Sequence, residues 1–82
     1  GIEDIIQNII KSVSDLKKVY LIGDYANGID SGKIKIYIEG DITDVNYINE
    51  VIAKTEVKIN RKITLLNDID PFEPKLLIYE SK

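Results

Sequence analysis

A strict alternation of apolar and polar residues is the feature of this sequence that most constrains its fold. The alternation covers Lys33–Glu39, and its apolar members are Ile34, Ile36 and Ile38. Because successive side chains of a strand point to opposite faces of a sheet, this period of two predicts a half-buried strand. The apolar run Val19–Ile22, which ends at Gly23, predicts an earlier strand with a central position in the same sheet.

Spacings of three and four between apolar residues predict two helices. The first covers Ile2–Leu16 and the second covers Val45–Lys58, with Thr43 or Asp44 as its N-cap. Gly40, Asp41 and Ile42 are predicted to form the turn before the second helix. The inward face of that helix is predicted to consist of Val45, Ile48, Val51, Ile52 and Val57.

Two more strands complete the predicted fold. They are Lys62–Asn67 and Lys75–Glu80, and the Asp- and Pro-rich segment Asn67–Pro74 between them is predicted to be a polar surface loop. The second helix is then a crossover between the second and third strands. The fold class is therefore α/β (α+β), with a small mixed β-sheet of about four strands packed by two main helices.

Composition excludes several classes of site. The chain has 82 residues, a formal net charge of −3, and no cysteine, histidine or methionine. Disulfides, thiolate or imidazole metal sites and a histidine general base are therefore excluded. The acidic balance argues against direct nucleic-acid binding by this domain, and no apolar run is long enough to span a membrane. Because methionine is absent, we expect residues 1–82 to be a single domain excised from a longer, cytoplasmic protein.

The segment from the first predicted strand to the second resembles the active-site segment of the DNA polymerase beta-type nucleotidyltransferases. The resemblance rests on GDYANG at 23–28 and DSGKIKI at 30–36, in the place of a Gly-Ser turn and a strand with paired aspartates. It is nearest to the degenerate form that follows a winged helix in bacterial transcriptional regulators. The elements of that form are GD-x-A-x-G-x-DS, then GDI at 40–42, then RKI at 61–63.

The resemblance implies a dismantled catalytic site. In that family, two carboxylates on the second strand and one on the third hold two metal ions for nucleotidyl transfer. Laid on this chain, those positions are Lys33, Lys35 and Thr64, and the nucleotide-contacting serine after Gly23 is replaced by Asp24. An ammonium group is no ligand for Mg²⁺. We therefore expect no catalytic residue, no metal and no cofactor, with the two lysines either solvated on an exposed or edge strand or binding an anion such as a nucleotide phosphate.

One alternative keeps a carboxylate pair. Glu39 and Asp41 have the required spacing of two, although they lie at the far end of the second strand. If they formed the site, the chain would be an active minimal nucleotidyltransferase of the toxin–antitoxin type, using Mg²⁺ and a nucleoside triphosphate.

The resemblance otherwise implies a sensory or oligomerisation module of a bacterial transcriptional regulator. Its expected partners are a second copy of itself or the missing N-terminal DNA-binding domain. A purely structural interaction domain is the third possibility.

Overall fold

The structure consists of a four-stranded sheet with two helices on one face. It is a computed structural model that describes residues 2–81, apart from the side chains of residues 2, 3 and 5. In chain order, the elements are α1 (Ile2–Ser12), β1 (Val13–Ile22), a short 3-10 helix (Gly23–Asn27), β2 (Lys33–Ile42), α2 (Val45–Ile59), β3 (Lys62–Leu66) and β4 (Lys75–Glu80).

The strand order is β3-β2-β1-β4, with β1 antiparallel to both of its neighbours and β2 parallel to β3. The parallel pair is connected by α2, because two adjacent parallel strands need a crossover. This confirms the predicted α+β class and the mixed sheet. It also places β1 and β2 in the interior of the sheet and leaves β3 and β4 as its edges.

The core lies between the sheet and the helices. Its sheet side is the alternating apolar face predicted from the sequence, and Ile34 and Ile36 are 1% and 0% exposed. Ile9 of α1 and Ile48 of α2 close it from the helical side. The other core residues are Val13, Val19, Leu21 and Ile63. The opposite face of the sheet carries the polar alternates of β2 and is open where no loop covers it.

The prediction that the first helix extends to Leu16 is wrong, because the chain turns into β1 at Val13. The backbone oxygen of Ser12 accepts hydrogen bonds from the N–H of Thr43 at 3.2 Å and from its hydroxyl at 2.8 Å. Val13 and Ser14 then pair with the last residues of β2. Strand pairing with a distant segment has therefore overridden the local helical periodicity.

The predicted turn at 40–42 is also wrong, since β2 continues through Ile42. Opposite Gly40, β1 carries a bulge, so that Ser14 pairs with Asp41 whereas Lys18 pairs with Glu39. A Cβ at Gly40 would lie 3.0 Å from the Cα of Leu16. Glycine is required there because the bulged strand approaches its backbone too closely for a side chain.

The second helix begins as predicted at its Asp44 cap, whose carboxylate accepts a hydrogen bond from the N–H of Tyr47 at 2.9 Å. Its inward face is narrower than predicted, because Val45 is 57% exposed and Val57 is 85% exposed. Among residues 2–81, no helix is long and apolar enough to cross a membrane.

Candidate functional site

A cleft of about 300 Å³ opens where β1 ends and β2 begins, on the sheet face away from the helices. It is lined by Ile22, Gly23, Asp24, Ser31, Lys33, Lys35, Glu73 and Pro74. Four of the five residues singled out in the sequence therefore meet in one cavity. The fifth, Thr64, is paired with Lys35 across the parallel β2–β3 ladder but is not part of the lining.

Gly23 shapes the floor of this cleft. Its φ of +79° lies in the left-handed region, which lets the chain leave β1 and enter the 3-10 helix directly. Its N–H donates to the carbonyl oxygen of Pro74 at 2.8 Å, which ties the loop before β4 to this corner. A Cβ on Gly23 would lie 3.9 Å from the Nζ of Lys35, so the lysine passes over the space that the glycine leaves free.

An ion pair joins the two sides of the cleft. The Nζ of Lys35 lies 3.1 Å from the Oε1 of Glu73, with 40% and 33% of the two side chains exposed. Sequence reasoning did not connect Glu73 with this cleft, because Glu73 is 38 residues away from Lys35 and lies in a segment typical of a polar surface loop. The formal charges in the cleft are then two positive, from Lys33 and Lys35, and two negative, from Asp24 and Glu73.

Two further lysines lie on the same sheet face beside the cleft. Lys62 of β3 is paired with Lys33, and Lys75 of β4 is paired with Ile22, which is itself paired with Lys35. Directly paired residues project to the same face, so this end of the open face is basic. The idea that Lys33 and Lys35 protect an edge strand is wrong, because β2 is an interior strand.

A second ion pair fixes the loop that enters the cleft. Both the Nε of Arg61, at 2.8 Å, and its Nη2 donate to the Oδ2 of Asp30, and the N–H of Gly32 donates to Oδ1 at 3.1 Å. The N–H of Lys62 donates to the carbonyl oxygen of Gly32 at 3.0 Å. These contacts lower the pKa of Asp30, mainly through the hydrogen bond from Arg61, and raise the pKa of Arg61. They hold the start of β2, and with it Lys33, against the start of β3.

We expect Asp30→Asn to destabilise the domain at neutral pH and to have little effect in strong acid. A carboxylate whose pKa is lowered by folding stabilises the native state above its ordinary unfolded value of about 3.9. That contribution is lost as the pH falls through the lower folded pKa, so the two proteins should converge towards about pH 2. Urea unfolding of both proteins between pH 2 and pH 7 measures the difference.

Asp68→Asn is the matched control for this experiment. It makes the same chemical change at a carboxylate that has no hydrogen bond or ion pair among residues 2–81. If Asp30→Asn and Asp68→Asn showed the same pH dependence, the pairing with Arg61 would have no measurable effect on stability.

The carboxylates of the cleft do not fit a two-metal centre. Asp24 and Glu73 are the two acidic side chains in its lining, and the Lys35 ammonium group already engages Glu73. Nowhere among residues 2–81 do three His, Cys, Asp or Glu side chains form a group that could hold a metal ion. The alternative pair, Glu39 and Asp41, lines a separate depression at the bulge, beside Asp15.

Comparison of the whole structure with solved proteins identifies the fold. A chain in the crystal structure of a mutant toxin–antitoxin pair, MntA-HpeT, superimposes with a TM-score of 0.70 and 16% sequence identity, over 100% of this chain and 74% of the other. The fold is nucleotidyltransferase-like. No protein-family model matches the sequence, and a search of curated proteins finds no match either. The regulator-associated form therefore stays a prediction.

Proposed function

We propose that this domain is a catalytically degenerate nucleotidyltransferase-like module that binds a phosphate-bearing ligand without a divalent metal. The observation that carries the proposal is the position of Lys33 and Lys35 in the cleft, on one face of the interior strand β2. Two lysines stand where the resembling family places its metal-binding carboxylates. Ammonium groups neutralise phosphate directly, whereas those carboxylates act through bound cations.

The surrounding charges support an anionic ligand. Among residues 2–81, Lys33 forms no ion pair, and Lys62 and Lys75 extend the basic surface next to it. Glu73 competes with a ligand for Lys35, so the cleft favours an anion that reaches Lys33 first and then displaces the glutamate. In this arrangement the loop before β4 responds to the ligand, which is the behaviour of a sensor.

The wider setting follows from the resemblance in sequence. The module would belong to a longer cytoplasmic protein of a bacterium, a transcriptional regulator whose separate N-terminal winged helix binds DNA. Ligand binding at the cleft, or association of the modules, would then regulate DNA binding by the whole protein.

A second function is favoured by the structural comparison. The neighbour belongs to a toxin–antitoxin pair, and its likeness extends over the full length of this chain. An active nucleotidyltransferase of that type would need Mg²⁺ and a nucleoside triphosphate, with metal ligands that the lysine-lined cleft does not provide.

Incubation with labelled nucleoside triphosphates separates these two functions. With Mg²⁺ or Mn²⁺ present, the proposed module transfers no label to itself or to added RNA, whereas ATP added in EDTA shifts amide resonances at 23–35 and near Glu73. Label transfer that is lost in Glu39→Gln or Asp41→Asn would establish the active enzyme instead. If ATP, ADP and inorganic phosphate at millimolar concentration shifted no resonance, ligand binding would be refuted.

A further inference from the structure

The outer edge of β4 is apolar, and it pairs with no strand among residues 2–81. β4 lies at the end of the sheet, next to β1 alone, and its central residues form a continuous apolar run from Leu76 to Tyr79. Leu76 is 48% exposed and Leu77 is 42% exposed. An exposed edge strand of this kind presents unpaired backbone N–H and C=O groups to any strand that can lie beside it.

A bulge within β4 sets which side chains share a face. Tyr79 is paired with Val19 and Leu77 with Tyr20, so Ile78 is the extra residue between them. Because of this extra residue, the two charged ends of the strand project to the same face. Lys75 is paired with Ile22 and Glu80 with Lys18, and those two residues of β1 are four positions apart.

We propose that β4 pairs antiparallel with β4 of a second copy of this chain, which joins the two sheets into one continuous sheet across a two-fold axis. The sequence of β4, KLLIYE, is complementary to itself in this direction. With the axis between Leu77 and Ile78, Lys75 lies opposite Glu80 of the partner subunit, and the symmetry makes this pair twice. The same register places Leu76 opposite Tyr79 of the partner subunit, and both residues are on the helical face because they pair with the core residues Leu21 and Val19 of β1. Leu77 and Ile78, at the bulge, flank the two-fold axis.

The bulge allows Lys75 and Glu80 to lie opposite each other in the dimer, because it places both on one face of the strand. Cross-strand partners must project to the same face, and six regularly alternating residues would place the first and the last on opposite faces. Here Lys75 and Glu80 share the open face. The Oε2 of Glu80 lies 3.6 Å from the Nζ of Lys18 in the same chain. In the dimer, Glu80 would therefore form ion pairs with both its own Lys18 and Lys75 of the partner subunit.

The other sheet edge lacks this complementarity. β3 reads KITLL and has a single charged residue at one end, so antiparallel pairing with its own copy would place Lys62 opposite an apolar leucine. The pattern therefore selects β4 and a closed dimer, and an open chain of molecules joined at both edges is not expected. This proposal does not depend on ligand binding at the cleft.

Sedimentation equilibrium of the 82-residue protein from about 10 to 500 µM tests the pairing. We expect a dimer, and we expect Leu77→Lys to remain monomeric over the same range because it places like charges at the centre of the interface. Val57→Lys is the matched control, since Val57 is an exposed apolar residue on α2, and this variant should dimerise like the original chain. A monomeric original chain at 500 µM, or oligomers larger than a dimer, would overturn the proposal.

A charge-exchange experiment tests the register without altering the apolar positions. Lys75→Glu and Glu80→Lys should each weaken self-association about tenfold, because each places like charges opposite one another twice. Mixing the two variants should restore a heterodimer, since each glutamate then lies opposite a lysine. Circular dichroism confirms that each variant is folded. Mixed variants that associate no better than either one alone would rule out this register.

Discussion

Replacing Ile36 with alanine is expected to remove about 2–5 kcal/mol from the free energy of unfolding. Ile36 is 0% exposed and lies in the interior strand β2, between Leu21 of β1 and Leu65 of β3. Its side chain faces the layer formed by α1 and α2. Truncation leaves a cavity that this small core cannot fill by rearrangement. A domain of this size is stable by roughly 4–12 kcal/mol, so the variant should lose a large part of its stability.

Thermal and urea unfolding followed by circular dichroism measure this loss. A decrease of at least about 8 °C in the melting temperature is expected, because a domain of this size loses about 4–8 °C for each kcal/mol. Val57→Ala is the matched control, since Val57 is 85% exposed, and it should change stability by no more than about 0.5 kcal/mol. Equal effects of the two substitutions would mean that the core does not lie between the sheet and the helices.

The same isoleucine shows why the sheet could be predicted from the sequence. An alternation of period two over seven residues predicts a strand with one buried face, and burial of that face fixes the register of the strand. Because β2 is parallel to its neighbour β3, the connection between them has to be a crossover, which is a helix here. The end of α1 could not be predicted in the same way. Val13 and Leu16 continue the helical spacing, and only the hydrogen bonds from Thr43 to Ser12, across 31 residues, show that a strand begins there.

The residues near Gly23 and Lys33 could be predicted to belong to the candidate site, because the resemblance in sequence identifies their positions. Lys62, Lys75 and Glu73 were missed for a different reason. Each of them looks like an ordinary surface residue of its own segment, and their position beside Lys35 depends on which strands are neighbours in the sheet. Glu73 contacts Lys35 but is 38 residues away from it in the sequence, so no local sequence pattern indicates the contact.

The ion pair in the cleft leads to the second large expected effect, in which substitutions on its two sides change ligand affinity in opposite directions. Lys33→Ala combined with Lys35→Ala should weaken binding of ATP in EDTA at least about 100-fold, because each charged hydrogen bond to phosphate contributes about 1.5 kcal/mol or more. Glu73→Gln should strengthen binding by roughly fivefold. It removes a negative charge within contact distance of Lys35, and such a charge costs about 1 kcal/mol even at the dielectric constant of water.

Titration followed by amide resonances gives both affinities, and Lys58→Ala is the control for loss of a lysine. Lys58 lies on α2 with its side chain 73% exposed and lines no part of the cleft. Ligand affinity should be unchanged in that variant. A Glu73→Gln variant that bound ATP more weakly than the original chain would mean that the glutamate holds Lys35 in its binding position. In that case the ion pair would support the site, and the ligand would bind without displacing Glu73.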